Sequence, residues 1–213
     1  MTLRTLTAAE ARILGVLVEK QATVPDTYPL SLNALASGCN QKTAREPLMQ
    51  LADPDLLLAL DELKSLSLVQ EVSGSRVLRY EHNMGRVLGV PGAAVALLAT
   101  LMLRGPQTAA ELRLHCERLH RFADVSSVEG FLDELCAKAS PLVVRLPRAP
   151  GAREPRWMHL LCGAVEAPLA EAPAAESDDG LRHLRAEQAR LSAEVDALRA
   201  QLQRLAAELG VAI

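Results

Sequence analysis

The chain has 213 residues and a formal net charge of −3, enough for two small domains and a tail. Its 39 Leu and 34 Ala make up about a third of the residues, against 2 Phe, 1 Trp and 2 Tyr. Leu and Ala lose little side-chain freedom in a helix, whereas strands draw on β-branched and aromatic residues. A mainly α protein with small β-hairpins is expected, and the scarcity of rings argues against single-stranded nucleic-acid platforms, which stack bases on aromatic rings.

The four cysteines, Cys39, Cys116, Cys136 and Cys162, form no CxxC pair. Residues 1–10 carry one Arg and no apolar core of a targeting peptide, so reduced thiols and a cytoplasmic location are expected. The longest apolar stretch, Val87 to Leu103, is broken by Gly89, Pro91 and Gly92. It reads as a buried helix rather than a membrane span. Charge is uneven: residues 85–164 carry 10 Lys/Arg against 7 Asp/Glu, and the segments on either side are acidic.

In chain order, Thr7 and Glu10 form a capping box ahead of a helix running through Lys20, whose Ile13, Leu14, Leu17 and Val18 make one apolar stripe. A Pro-bearing loop comes next, with Tyr28 between Pro25 and Pro29 read as a lid on the core. Ser31 caps a short helix with Leu32 and Leu35 facing inward. Residues 39–52 are polar and broken by Pro47. Asp53 then caps a helix with Pro54 at its first position, running to about Leu66. Residues 68–72 and 77–81 flank a Gly turn and read as a β-hairpin.

Three helices and a hairpin are the order of a winged helix, and the order recurs. From Pro91 the chain gives a helix to Leu103, a Gly-Pro-Gln-Thr turn, a short helix containing Leu112, a helix from about Ser126 to Ala139, and a hairpin over residues 142–146 and 156–161. Asp-Glu-Leu at 61–63 recurs at 133–135, and Leu-Val at 68–69 recurs at 142–143. The near-equal offsets point to a tandem duplication. The expected domains are residues 1–84, a first winged helix, and 85–163, a second.

Residues 164–180 are rich in Ala, Pro, Glu and Asp and read as a linker. Beyond them Leu181, Leu184, Gln188, Leu191, Val195, Leu198, Leu202, Leu205 and Leu209 recur at alternating steps of three and four, a heptad seam over residues 181–213. A coiled-coil dimer is expected, because a lone helix of this kind leaves an apolar face in water. Glu194 reaching Arg199 of a partner favours parallel strands. The alternative is a helix folded back on its own lobe.

The stretches Leu6–Lys20, Thr23–Leu35, Cys39–Pro47, Arg104–Thr108, Glu117–Asp124 and His159–Gly163 resemble the bacterial YceH-like proteins, an uncharacterised family. They span nearly all of residues 6–163. The resemblance implies tandem winged-helix lobes and carries no activity with it.

A winged helix ordinarily sets its third helix in the major groove and grips phosphates with its wing. Here the third helix of the first half offers Asp55, Asp61 and Glu62 against Lys64, a poor match for phosphate. The better nucleic-acid candidates are Asn40, Gln41, Lys42 and Arg45 before it, with Arg76 and Arg79 on the hairpin. Asn and Gln suit an adenine edge, and Lys and Arg suit guanine or phosphate. Alternatively, Asn40 and Gln41 shape a local turn and the basic residues are a solvated surface. In the second half Arg145, Arg148, Arg153 and Arg156 cluster on the hairpin, offset by Glu154, with Arg113, Arg118 and Arg121 before the third helix. Such a set suits salt-sensitive phosphate contact, or simply keeps a sheet edge soluble.

His115, Cys116 and His120 lack the fourth ligand of a structural zinc site, so no metal or other cofactor is expected. A half-buried thiol and a surface imidazole are the ordinary reading. No phosphate loop, dinucleotide fingerprint or nucleophile elbow is present. The expectation is therefore a non-enzymatic, dimeric winged-helix protein that binds duplex DNA, with transcriptional regulation as one role open to it, and without a membrane anchor. The rival expectation is an interaction module that holds a partner polypeptide and binds no DNA.

Overall fold

The structure, a computed structural model, describes residues 4–72, 77–148, 151–164 and Arg190. The chain separates into two units, Met1–Ala167 and Pro168–Ile213. All the elements named below belong to the first, since Arg190 alone is described in the second. The expected heptad seam from Leu181 to Leu209, the Glu194–Arg199 pair and most of the linker lie outside the described residues.

The capping box forms as expected. The Glu10 amide donates to Thr7 Oγ1 at 3.2 Å and the Thr7 amide to Glu10 Oε2 at 2.8 Å, which starts α1, Ala8–Thr23. Ser31 caps α2, Leu32–Cys39, and a two-residue strand β1, Leu30–Ser31, precedes it. Helix α3 spans Asp53–Ser65. Its cap is Ala52 rather than Asp53: the Ala52 amide donates to Asp55 Oδ2 at 3.2 Å. Asp53 sits one position inside, in the first turn, where a carboxylate faces the positive end of the helix dipole.

Strands β2, Val69–Val72, and β3, Arg79–His82, pair antiparallel, with Val69 opposite His82. β1 adds to the other side of β3, giving the order β1-β3-β2. Tyr28 covers this sheet as expected, its hydroxyl accepting the His82 amide at 2.8 Å. A short α4, Met84–Leu88, which the sequence pattern did not suggest, ends at Gly89 with φ +60°.

The same order then recurs. Helix α5 is Gly92–Arg104, α6 is Ala109–His115 and α7 is Val125–Cys136. Strands β4, Val143–Arg145, and β5, Trp157–His159, form a two-stranded antiparallel sheet. Thr108 and Glu111 repeat the Thr7–Glu10 capping box, their reciprocal bonds measuring 2.9 and 3.2 Å. Helix α7 stops short of the expected Ala139. The described residues thus make a mainly helical α+β protein with seven α-helices and small antiparallel sheets.

The first helices of the two halves pack on each other. Nine consecutive residues of α1, Glu10–Val18, are buried, as are Ala93–Leu103 of α5. Helices covered all round belong at a centre rather than a surface. Gly15 permits the close approach: a Cβ there would stand 2.9 Å from Leu103 Cγ and Cδ2 and 3.4 Å from the Ala99 carbonyl oxygen. One hydrophobic cluster therefore runs from Leu6 through both halves to Leu161. Each fully buried Leu in it contributes about 1.5–3 kcal/mol relative to exposure. The chain also closes on itself where the Leu6 amide donates to the Leu161 carbonyl at 2.7 Å. Among the described residues no helix is long and apolar enough to cross a membrane.

Candidate functional site

The first group of sequence candidates lies on residues 40–52, the connection between α2 and α3, and most of it is occupied in holding that connection. Asn40 Nδ2 donates to the Leu51 carbonyl at 2.9 Å and its Oδ1 accepts the Leu51 amide at 2.8 Å. Both polar atoms of the side chain that would read an adenine are thereby engaged. The Arg45 side chain is fully buried and forks onto Glu19 at 3.2 and 2.6 Å. Its other donors reach the Gly38 and Ala44 carbonyls and Gln41 Oε1. Arg45 and Gln41 are thus a structural pair, and all five Arg45 donors are spent within the protein. Burial pushes the Glu19 carboxyl up, but the Arg45 hydrogen bonds and charge outweigh it and hold the group below its ordinary range.

Arg12 completes this arrangement. From the core it donates to the Cys39 carbonyl at 3.1 Å and the Pro47 carbonyl at 2.6 Å, while its Nε has no partner. Its charged form is disfavoured by burial and by the nearby Arg45. An arginine inside an apolar helix stripe carries no sequence signal for such a role. Arg79 donates to the Thr27 and Pro29 carbonyls at 3.0 and 2.7 Å, fixing the loop beneath Tyr28. Lys42 is exposed, and Arg76 lies outside the described residues.

The second group behaves differently. Arg145, Arg148, Arg153 and Arg156 are all exposed. Arg145 stands opposite Trp157 in the ladder, its guanidinium 5.8 Å from the ring centroid. Neither Arg148 nor Arg153 has a hydrogen bond or ion pair among the described residues. Arg156 is committed, donating to the Pro106 carbonyl at 2.7 Å and to Glu111 Oε1 at 2.9 Å. Arg113 donates to the Ala123 carbonyl. The third helices α3 and α7 turn Asp55, Asp61 and Glu62, and Glu129, Asp133 and Glu134, to solvent. Between the acids of α3, Leu57 and Leu58 are 43% and 68% exposed.

Arg45 and Arg156, candidates from different halves, both border one open cleft of about 320 Å³. Residues 44–46 form one wall, fixed by the Glu46 amide donating to the Leu103 carbonyl at 2.7 Å. Arg104, Pro106, Gln107, Glu111, His115 and Arg156 supply the rest. Gln107, 3% exposed, is the frame. Its backbone exchanges two hydrogen bonds with Trp157, at 3.1 and 2.7 Å, and so ties the cleft to the hairpin. Its Nε2 donates to the Thr100 and Gly105 carbonyls, both at 3.3 Å, and its Oε1 meets His115 Nδ1 at 2.6 Å. The Arg104 guanidinium has no hydrogen bond or ion pair among the described residues. Sequence reading passed over Arg104 and Gln107, which gain meaning only through what the fold brings beside them.

Cys116 is fully buried rather than half-buried, with Sγ 3.0 Å from Thr100 Oγ1, and burial pushes its thiol up to about 11. Cys39 is likewise buried and raised to about 12. Such thiols are poor nucleophiles. Among the described residues no group of His, Cys, Asp and Glu is placed to hold a metal ion.

Fold and surface together define a mainly helical α+β protein with a basic second hairpin and a polar cleft at its root. Residues 6–152 match the family described as "Protein of unknown function, DUF480". A UPF0502 protein of Leptothrix cholodnii is 70% identical, the alignment covering 98% of this chain and 97% of that one. UPF0502 proteins of Burkholderia orbicola and Burkholderia cenocepacia are each 66% identical over 98% of this chain and 91% of theirs. The chain belongs to this DUF480/UPF0502 family of bacterial proteins, the YceH-like family that its sequence stretches resemble.

Proposed function

We propose that the protein is a non-enzymatic tandem winged-helix protein that associates with duplex DNA through its second hairpin, gripping phosphates rather than reading bases. Support for the winged-helix reading comes from the order α1-β1-α2-α3-β2-β3 with sheet order β1-β3-β2, repeated in simpler form by α5-α6-α7-β4-β5. The observation that carries the DNA reading is the hairpin itself: Arg145, Arg148 and Arg153 are exposed and none is engaged by a carboxylate among the described residues. Phosphate contact needs unpaired cations on a protruding element and no particular side-chain code. The acidic faces of α3 and α7 argue against base reading by the third helices. The heptad seam at residues 181–213 would supply a dimer, presenting two such hairpins.

The test is fluorescence anisotropy of a random duplex against the full-length protein over a salt series, beside Arg145→Ala/Arg148→Ala/Arg153→Ala. Arg156 is left intact because it braces Pro106 and Glu111. Expected is binding that weakens steeply with salt, with the slope of log K against log salt reduced by about 2–3 in the variant, near 0.9 per lost phosphate contact. No binding at low salt overturns the reading. The exposed Leu57 and Leu58 among the acids of α3 favour a second one, an interaction module that holds a basic partner polypeptide.

A further inference from the structure

The cleft at the root of the second hairpin has a built interior that the hairpin reading does not use. Gln107 decides its chemistry. Because its Nε2 already donates to the Thr100 and Gly105 carbonyls, the amide can be oriented only one way, and Oε1 must accept from His115. The neutral imidazole is therefore protonated at Nδ1, and its Nε2, which has no partner among the described residues, carries the lone pair. Taking up a proton there would turn His115 from an acceptor into a second donor beside two guanidiniums.

We propose that this cleft is a seat for a phosphoryl oxyanion, held by the guanidiniums of Arg104 and Arg156 and by His115 as a donor that protonates when the anion arrives. The planar fork of an arginine matches a tetrahedral oxyanion, and Arg104 offers a fork with no competing partner among the described residues. Arg156 is held in place by Pro106 and Glu111, so it is already ordered before a ligand binds. The volume, about 320 Å³, lies at the small end of ligand pockets, room for one phosphoryl group and a small substituent.

The charged groups that line the cleft with His115 are Arg104 from α5, Glu111 from α6, Arg156 from the approach to β5, and Arg45 and Glu46 from the other wall; of these Arg104 and Glu111 act on the ring most directly. Arg45 is already neutralised by Glu19 and Arg156 is paired with Glu111, so three guanidiniums meet three carboxylates and a protonated His115 gives the cleft one positive charge in excess. Without a ligand, burial and the Arg104 charge hold the His115 imidazole below its ordinary value, Glu111 opposing them in part. An anion beside it reverses the balance, so binding takes up a proton and strengthens as pH falls.

Sulfate is the probe, because its charge does not change between pH 5 and 8. It is titrated into the full-length protein at constant ionic strength, balanced with chloride, while the ring resonances of His115 are followed by NMR across that range. Expected is a saturable rise in the His115 pKa with sulfate. Arg104→Gln, which breaks no hydrogen bond seen among the described residues, by itself raises that pKa by removing a nearby cation, but loses the sulfate-dependent increment. Arg104→Lys keeps part of it. A His115 resonance indifferent to sulfate, or an increment unchanged in Arg104→Gln, overturns the proposal. A second arm replaces sulfate with a 20-base-pair duplex. A duplex-induced shift that sulfate competes away assigns the seat to a backbone phosphate. A response to sulfate alone assigns it to a free phosphorylated molecule, whether or not the hairpin binds DNA.

Discussion

Arg45 shows how one residue type serves opposite ends according to its surroundings. As a letter in a polar stretch beside Asn40, Gln41 and Lys42 it reads as a phosphate or guanine contact. In the fold it is buried and locked to Glu19. The consequence is a stability prediction. Glu19→Ala leaves the Arg45 guanidinium buried without its carboxylate, and breaking such a pair costs about 3–5 kcal/mol. Chemical denaturation of the variant should show that loss. Lowering the pH acts in the same direction, because a carboxyl held below its ordinary value stabilises the fold above its unfolded pKa and loses that contribution as pH falls through the folded one. His159 adds a second acid-sensitive contribution. It is 4% exposed, its Nδ1 lacks a partner, and burial lowers its pKa to about 4. The folded state prefers the neutral ring, so stability is full above the unfolded value near 6.5 and declines between there and about 4, by roughly 3 kcal/mol in all. Denaturation midpoints measured from pH 7.5 to 4.5 should fall, and His159→Phe, which cannot titrate, should flatten the part of that fall between pH 6.5 and 5.

At the scale of elements, the local signals were dependable where the physics is local. The Thr7–Glu10 and Ser31 caps, the helix inside residues 87–103 and both hairpins needed only near neighbours, and all are present. The cap of α3 shifted by one residue because Asp55 reaches back to the Ala52 amide, a choice between adjacent acids that spacing leaves open. Helix α4 and strand β1 were missed: five and two residues are too few to show a period. The crossing of α1 and α5 was invisible for another reason. Gly15 looks like an ordinary weak point in a helix, yet the side chain it lacks would collide with Leu103. Gly15→Val should cost about 1–3 kcal/mol, the usual penalty of overpacking a filled core. Gly130 has nothing within 4 Å of a Cβ, so Gly130→Ala in the middle of α7 should stabilise by about 0.5–1 kcal/mol. Thermal melts of the two variants should move in opposite directions.

For the whole molecule, the heptads of residues 181–213 predict self-association. Removing residues 165–213 should reduce the mass in solution from dimer to monomer by light scattering, while the circular dichroism of the remaining helices persists. An unchanged oligomeric state would sink the coiled-coil proposal. The sequence by itself determined the helical bias, the Thr7 and Ser31 caps, the doubled order of elements and the family, because these rest on composition, short-range spacing and resemblance along the chain. Tertiary structure alone decided which charges are available. Arg12 and Arg45 are drawn inside by backbone carbonyls and Glu19, Arg156 is tied to Glu111, and Arg145, Arg148 and Arg153 stay on the surface. It likewise decided that Arg104, Gln107 and His115 share a cleft with residues 44–46. The physical reason is that a guanidinium serves a ligand only with the donors that nearer partners leave free, which is none for Arg45 and some for Arg156. Those partners lie 26 residues away for Arg45 and 45 for Arg156, separations at which neither helical period nor strand alternation carries information.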